Sequence, residues 1–195
     1  GSTHNSLEDL SLMASLPNMN ILIPSDNIEL IEILEYVFSH QAPFYVRLPR
    51  GAFPKIHESK YKFKISKPDI LKEGNDICLI GTGYGSTLAL NSANLIEEQL
   101  KISIKVINFP TVKPIDEKSL LEEIKTVEGI LIIEEHNIYC GFGSIIARIL
   151  SEKYPKTIKF MGINNSFGES GKREELLNSY GLTKAKIIEQ IKKII

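Results

Sequence analysis

The 195-residue chain has no tryptophan, only two cysteines, almost no net charge and no long apolar run. Each shortage removes a class of protein. Cys78 and Cys140 lie far apart, with no CxxC pair and no companion at zinc-ligand spacing, so a disulfide framework and a cysteine-built zinc site are both poor descriptions. A reducing, cytoplasmic compartment is expected. Lys and Arg number 23 against 24 Asp and Glu, a formal charge of −1, so no global field draws in nucleic acid or an anionic membrane. No segment approaches the roughly 18–20 apolar residues of a membrane span, and the opening GSTHNSLEDL lacks the basic and apolar regions of a signal peptide. There is no leading Met, and the dense polar start reads like the middle of a longer chain or a processed product.

With 43% apolar and 24% charged residues, the composition is that of an ordinary folded protein, either one large domain or two modest ones. Leu7, Leu10, Met13 and Leu16 follow helical spacing, with Ser6 as a cap and Asp9 as its capping-box partner. Met19 to Ile23 reads as a buried strand. A helix capped by Ser25 or Asp26 follows, with Ile28, Ile31, Leu34, Tyr36 and Phe38 filling much of it and Glu29, Glu32 and Glu35 on its wet face. Phe44 to Leu48 is a second strand. Residues 52–75 carry Pro54, Pro68 and a basic run through Lys55, Lys60, Lys62, Lys64 and Lys67, which reads as a solvated linker with an edge strand around Tyr61 to Ile65. A nucleic-acid patch is the sharper alternative there, but stacking aromatics are few.

From residue 76 onward, strands at 76–80, 102–108, 129–133 and 158–163 alternate with helices at 86–99, 117–126 and 144–153, and two helices close the chain. That alternation predicts an α/β fold with a mostly parallel sheet covered on both faces and functional loops at the carboxyl ends of its strands.

Several candidate sites stand at such ends. Gly81-Thr82-Gly83-Tyr84-Gly85-Ser86 opens a helix where backbone N–H groups can hold phosphate, but the spacing is GxGxG, and Asn108 stands where a ribose-binding acid would be expected. A tight strand-to-helix turn is the better account. Glu134-Glu135-His136 offers carboxylate and imidazole for acid–base or ligand work, although neighbouring residues in an extended loop do not all point one way. Cys140 precedes a helix N-terminus, which would activate a thiol, with no evident histidine to serve it. Ser170 lacks a nucleophile elbow. His4 sits just before a helix, and Arg50 sits in a Pro-Arg-Gly turn after a strand, where a guanidinium forks onto phosphate or carboxylate.

The motifs Gly1-Ser2-Thr3-His4, Leu16-Pro17-Asn18-Met19, Pro24-Ser25-Asp26, Arg47-Leu48-Pro49-Arg50-Gly51, Pro110-Thr111-Val112-Lys113-Pro114, Glu134-Glu135-His136, Gly141-Phe142-Gly143-Ser144 and Phe167-Gly168-Glu169-Ser170-Gly171 occur in one order across nearly the whole chain. Taken together, the chain resembles the carboxyl-terminal half of transketolase-type enzymes, which depend on thiamine diphosphate. The resemblance implies that residues 1–55 are the last part of a pyrimidine-binding domain, 56–75 a linker, and 76–195 a complete transketolase C-terminal domain.

It further implies transfer of a two-carbon ketol unit between sugars or sugar phosphates. His4 would line the substrate channel as the catalytic residue and contact the sugar near the reacting carbon, and Arg50 would bind the distal phosphate. Glu135 and His136 are accessory or interface candidates. The glutamate that activates the cofactor, the aromatic that stacks on it, and the magnesium and diphosphate motif lie upstream in this family, so no cofactor or metal is expected to bind the isolated chain, and turnover would need an amino-terminal half or subunit within a homodimeric assembly. Ala14 replaces a common arginine, and Cys140 a common glycine. Two alternatives remain: a fragment of a 1-deoxy-D-xylulose-5-phosphate synthase-like enzyme, or a non-catalytic assembly module.

Overall fold

The computed structural model describes residues 6–49, 51 and 54–195. The first segment runs α1 (Asp9–Ser15), β1 (Asn20–Leu22), α2 (Asn27–Ser39) and β2 (Phe44–Val46). β1 and β2 pair in parallel, Ile21 opposite Tyr45. Ser6 does not cap α1: Glu8 occupies that place and makes no side-chain cap bond. Asp26 does cap α2, accepting from the Glu29 amide at 2.9 Å, as the short polar side chain of a helix-initiating residue should.

The buried side of α2 differs from the expected one. Ile33 and Glu29 are fully buried, while Ile31 and Phe38 are 59% and 85% exposed. A glutamate thus lies inside and a phenylalanine outside, the reverse of the transfer preference, because partners described below satisfy the carboxylate.

The second segment contributes β3 (Asp69–Lys72), β4 (Ile77–Gly81), α3 (Tyr84–Leu100), β5 (Ile104–Asn108), β6 (Thr111–Lys113), α4 (Glu117–Glu123), β7 (Gly129–Asn137), α5 (Phe142–Lys153), β8 (Thr157–Ile163), α6 (Arg173–Ser179) and α7 (Lys184–Ile191). Five strands form one sheet in the order β3-β5-β4-β7-β8. β5, β4, β7 and β8 are parallel, and β3 closes one edge antiparallel to β5.

The edge strand therefore lies at 69–72 and not around Tyr61 to Ile65. Residues 61–65 are held from the side instead: Tyr61 donates to Glu29, and Phe63 and Lys62 reach Glu32. Lysines of the basic run lie beside acids, Lys60 on Glu58, Lys62 on Glu32 and Lys67 on Asp116, and the segment is not wholly solvated, because His57 is buried and Tyr61 reaches Glu29.

Strand alternation divides the core. Cys78, Ile80, Ile130 and Ile132 face one side, with Leu120 of α4 and Phe142, Ile146 and Ile149 of α5; Ile77, Leu79, Leu131 and Ile133 face the other, with Leu88 and Ala89 of α3 and Ile187 of α7. The first cluster also takes in Leu10, Ile21 and Ile23 from the opening segment, together with Phe109 and Val112. β6, absent from the sequence expectation, pairs antiparallel with β1, Ile21 opposite Lys113. A strand from the second segment thus completes the sheet of the first, order β2-β1-β6, and the two share one core. Among the described residues, no helix is long and apolar enough to cross a membrane.

Candidate functional site

The Gly81–Ser86 motif forms the turn between β4 and α3. An added Cβ on Gly85 would stand 2.1 Å from the Ile133 carbonyl oxygen, so its bare backbone lets α3 close onto β7. Gly83 takes φ +55°, left-handed backbone that glycine adopts without strain. The glycines here serve the packing of strand and helix.

β7 runs on past Ile133 through Asn137, so Glu134, Glu135 and His136 belong to a strand and not to a polar loop. Alternation buries Glu134 and His136 and leaves Glu135 half-buried. The Glu134 carboxylate accepts from the amides of Phe142 at 2.8 Å and Gly143 at 3.0 Å, at the start of α5. A Cβ on Gly141 would lie 2.3 Å from Glu134 Oε2, so the glycine beside Phe142 makes room for this acid. Burial pushes the Glu134 carboxyl up to about 7, against the two amides and the charge of Arg47, which favour its ionised form.

Arg47, just beyond β2, joins three parts of the chain. Its Nε donates to Asp9 Oδ2 at 2.9 Å, and its Nη2 donates to the carbonyls of Glu135 at 3.0 Å and Ser6 at 3.4 Å. Tyr45 also donates to Asp9 Oδ2, at 2.8 Å, and burial together with that carboxylate pushes its hydroxyl up to about 12. His136 lies beneath: Nδ1 is 2.8 Å from the Asn137 carbonyl, and Nε2 faces Asp9 Oδ1 at 3.7 Å. Burial holds the His136 ring below its usual range. Glu135 pairs with Arg173 at 2.9 Å, and the Arg173 guanidinium lies 4.7 Å from the centre of the Tyr84 ring.

Asp9, Tyr45, Arg47, Glu135 and Arg173 line a cleft of ≈ 700 Å³, together with Ser6, Pro49 and the Gly168–Gly171 loop. His4 and Arg50 lie outside the described residues; Ser6 and Pro49, close to them in sequence, border this cleft. Ser170 lines it as well, whereas Cys140 is exposed elsewhere, at φ +61°, in the backbone region that favours glycine. Cys78 is buried in the core, and burial holds its thiol protonated.

Sequence reasoning missed a second polar cluster, between α2 and β3. Glu29 Oε1 accepts from Tyr61 at 2.7 Å and Asn108 at 2.9 Å, and Oε2 accepts from the Ser25 amide at 2.7 Å. Asn108 Oδ1 in turn accepts from Ser25 and Ser86. His57 sits among Asp26 at 3.1 Å, Asp69 at 2.9 Å and Glu29 at 3.8 Å. Burial pulls the imidazole down, but the Asp69 hydrogen bond and the charges of Glu29 and Asp26 outweigh it and push it up to about 9. Burial also pushes Glu29 up, toward about 7, while the imidazolium and three donors act to keep it ionised. The acid at position 29, three residues after the Asp26 cap, was the available signal.

Glu29, His57 and Asp69 are the metal-capable group among the described residues, with donor atoms within 4.8 Å of one another. Three donors already occupy the Glu29 oxygens and His57 Nε2 is committed to Asp69, so the set reads as a closed polar lock between the two segments.

An α/β domain built on a parallel sheet, joined through a shared core to the end of a second α/β domain, is a two-domain arrangement that the family comparisons match along its length. The family model for the transketolase pyrimidine-binding domain matches residues 1–55, and that for the transketolase C-terminal domain matches residues 66–187. The chain belongs to the transketolase family. It is 33% identical over 194 residues to a protein of Methanocaldococcus jannaschii named as a transketolase C-terminal section, covering 98% of this chain and 60% of that one.

The chain is also 35% identical to the 1-deoxy-D-xylulose-5-phosphate synthase of Carboxydothermus hydrogenoformans, covering 100% of this chain but 32% of that protein. The solved structure of a split-gene transketolase, described as an inactive beta4 tetramer, matches with a TM-score of 0.94 at 33% identity, covering all of this chain and 63% of the other. A transketolase from Campylobacter jejuni shares the fold, with a TM-score of 0.77 at 24% identity over 99% of this chain and 29% of that one. The chain therefore spans about 60% of the length of the Methanocaldococcus protein and of the split-gene transketolase.

Proposed function

We propose that this chain supplies the carboxyl-terminal part of a transketolase-like enzyme that moves a two-carbon ketol unit from a ketose to an aldose. The observation that carries the reading is the match of both segments, over 98–100% of the chain, to a C-terminal transketolase section and to a split-gene transketolase. Thiamine diphosphate with Mg²⁺ would supply the carbanion that attacks the ketose. The described residues do not fit that pair: the metal-capable set is closed on itself, and the cleft beside Arg47 and Arg173 carries Asp9, Glu135 and Glu169 as well. The cofactor and metal are accordingly assigned to an amino-terminal half or subunit, and the isolated chain to no turnover.

In this reading His4 lines the substrate channel, hydrogen-bonds the sugar hydroxyls and helps move protons, and Arg50 binds the distal phosphate and orients the sugar. Glu135 and His136 act in the contact between the two segments. The assembly is an oligomer, a dimer of such two-part units, acting on sugar phosphates in the cytoplasm. Mixing the chain with an amino-terminal transketolase subunit, thiamine diphosphate and Mg²⁺ is expected to produce ketol transfer that neither part shows alone; no transfer from any of a panel of ketose phosphates would overturn the assignment. Arg50→Ala is expected to abolish the preference for a phosphorylated over an unphosphorylated sugar.

The 35% identity to a 1-deoxy-D-xylulose-5-phosphate synthase supports a second reading, and formation of that product by the same mixture would select it. The inactive tetramer of the split-gene relative supports a third, an assembly module, which would self-associate and leave the mixture inert.

A further inference from the structure

Asp9 and His136 present a deficit of one proton. His136 Nδ1 must donate to reach the Asn137 carbonyl at 2.8 Å, so in the neutral ring Nε2 carries a lone pair. That lone pair faces Asp9 Oδ1 at 3.7 Å, and neither atom has a hydrogen-bond partner although both are buried. The other oxygen of Asp9 takes two donors, Tyr45 and Arg47. A protonated His136 would give Asp9 Oδ1 a cationic partner of its own, beside the Arg47 guanidinium on Oδ2. The charges and titrating groups around this ring are Asp9 on α1, Tyr45 and Arg47 at β2, and Glu134 on β7, whose Oε2 is 4.0 Å from Nδ1. Burial and Arg47 oppose protonation of His136, and Asp9 with the Asn137 and Glu8 backbone favours it.

We propose that Arg47 is a positioning residue for substrate binding: by holding Asp9, the Ser6 carbonyl and the Glu135 carbonyl together over His136, it fixes the start of α1 and the end of β2 against β7. This deepens the functional reading above, because those two segments lead in sequence to His4 and Arg50. Arg47 serves through its fork, whose separate N–H groups reach a carboxylate and two carbonyls at once; a lysine ammonium keeps the charge without that geometry.

Two measurements test it, and the first does not depend on activity. In the ¹⁵N-histidine NMR spectrum of the 195-residue chain, Arg47→Gln is expected to raise the titration midpoint of His136, Asp9→Asn to lower it, and Arg47→Lys to leave it near the wild-type value. A His136 midpoint unmoved by both Arg47→Gln and Asp9→Asn would overturn the proposal. Second, in the assembled enzyme with thiamine diphosphate and Mg²⁺, Arg47→Lys and Arg47→Gln are expected to raise KM for the sugar about tenfold or more while kcat changes several-fold less. An unchanged KM in both variants would likewise overturn it. If the wild-type mixture transfers no ketol unit, the functional reading fails, and the NMR titration alone decides whether Arg47 and His136 form the coupled clamp.

Discussion

Replacing Phe109 by alanine should weaken both segments of the chain by the same amount. The ring is fully buried, 5.8 Å from that of Phe142, in a cluster that holds Leu10, Ile21 and Ile23 of the first segment and Ile107, Val112 and Ile132 of the second. Its amide donates to Gly81 at 2.9 Å, so the backbone stays anchored when the side chain is lost. Truncating a buried phenylalanine costs about 3–5 kcal/mol, transfer and cavity together. In a chain of this size that lowers the thermal midpoint by about 6–20 °C. Urea denaturation followed by circular dichroism gives the loss for the whole molecule. Hydrogen exchange read by mass spectrometry gives it separately for peptides of β1 and β2 and for peptides of β4, β5 and β7. The shared core requires one wild-type transition and an equal loss of protection in both sets. Two wild-type transitions, or β1 and β2 peptides whose protection is unchanged in Phe109→Ala, would refute the single core.

Other consequences are equally direct. Gly85→Ala would press a methyl against the Ile133 carbonyl, with backbone on both sides, and is expected to cost about 3 kcal/mol; an unchanged urea midpoint would count against the close approach of α3 to β7. Glu134→Ala removes the acceptors of two α5 amides and is expected to cost about 2–3 kcal/mol, with Glu134→Gln costing less because its amide oxygen still accepts one; equal losses would contradict the paired bonds. The His57 ring, raised from 6.5 to about 9, keeps a proton in the folded chain that the unfolded chain releases. Its contribution of about 3 kcal/mol is therefore full below pH 6.5 and lost as pH rises through 9, and a folded-state NMR titration at or below 6.5 would contradict it.

The alternation of strands and helices was legible because fully buried parallel strands read as apolar runs: β4, β5 and β7 stand close to the runs at Asp76, Ile102 and Gly129. Short strands whose character comes from their partners were not. β6 spans three residues between prolines and exists because β1 offers it an edge, and β3 has no strong β-pattern of its own but lies beside β5. The wet face assigned to α2 failed at Glu29 for a related reason. Periodicity sees a charge, but only the fold brings Tyr61, Asn108 and the Ser25 amide to it from 32, 79 and 4 residues away.

The same asymmetry governs the site. Glu134-Glu135-His136 stood out because titratable groups at a strand end are visible in sequence, yet the strand sends them to three tasks: Glu134 holds the start of α5, Glu135 pairs with Arg173, and His136 backs Asp9. Arg47 and Asp9 were passed over because each is ordinary alone, one charge in a strand and one in a helix, 38 residues apart. Arg47 is also what links the two segments at the cleft, since it leaves β2, holds Asp9 at the start of α1, and donates to the Glu135 carbonyl of β7. A cleft built in this way cannot be divided at residue 55 without separating the groups that hold it. A cut there would part Arg47 from the Glu135 carbonyl, Ile21 from Lys113, and Glu29 from His57, so the first 55 residues are expected to depend on the remaining chain for their fold as well as for their site.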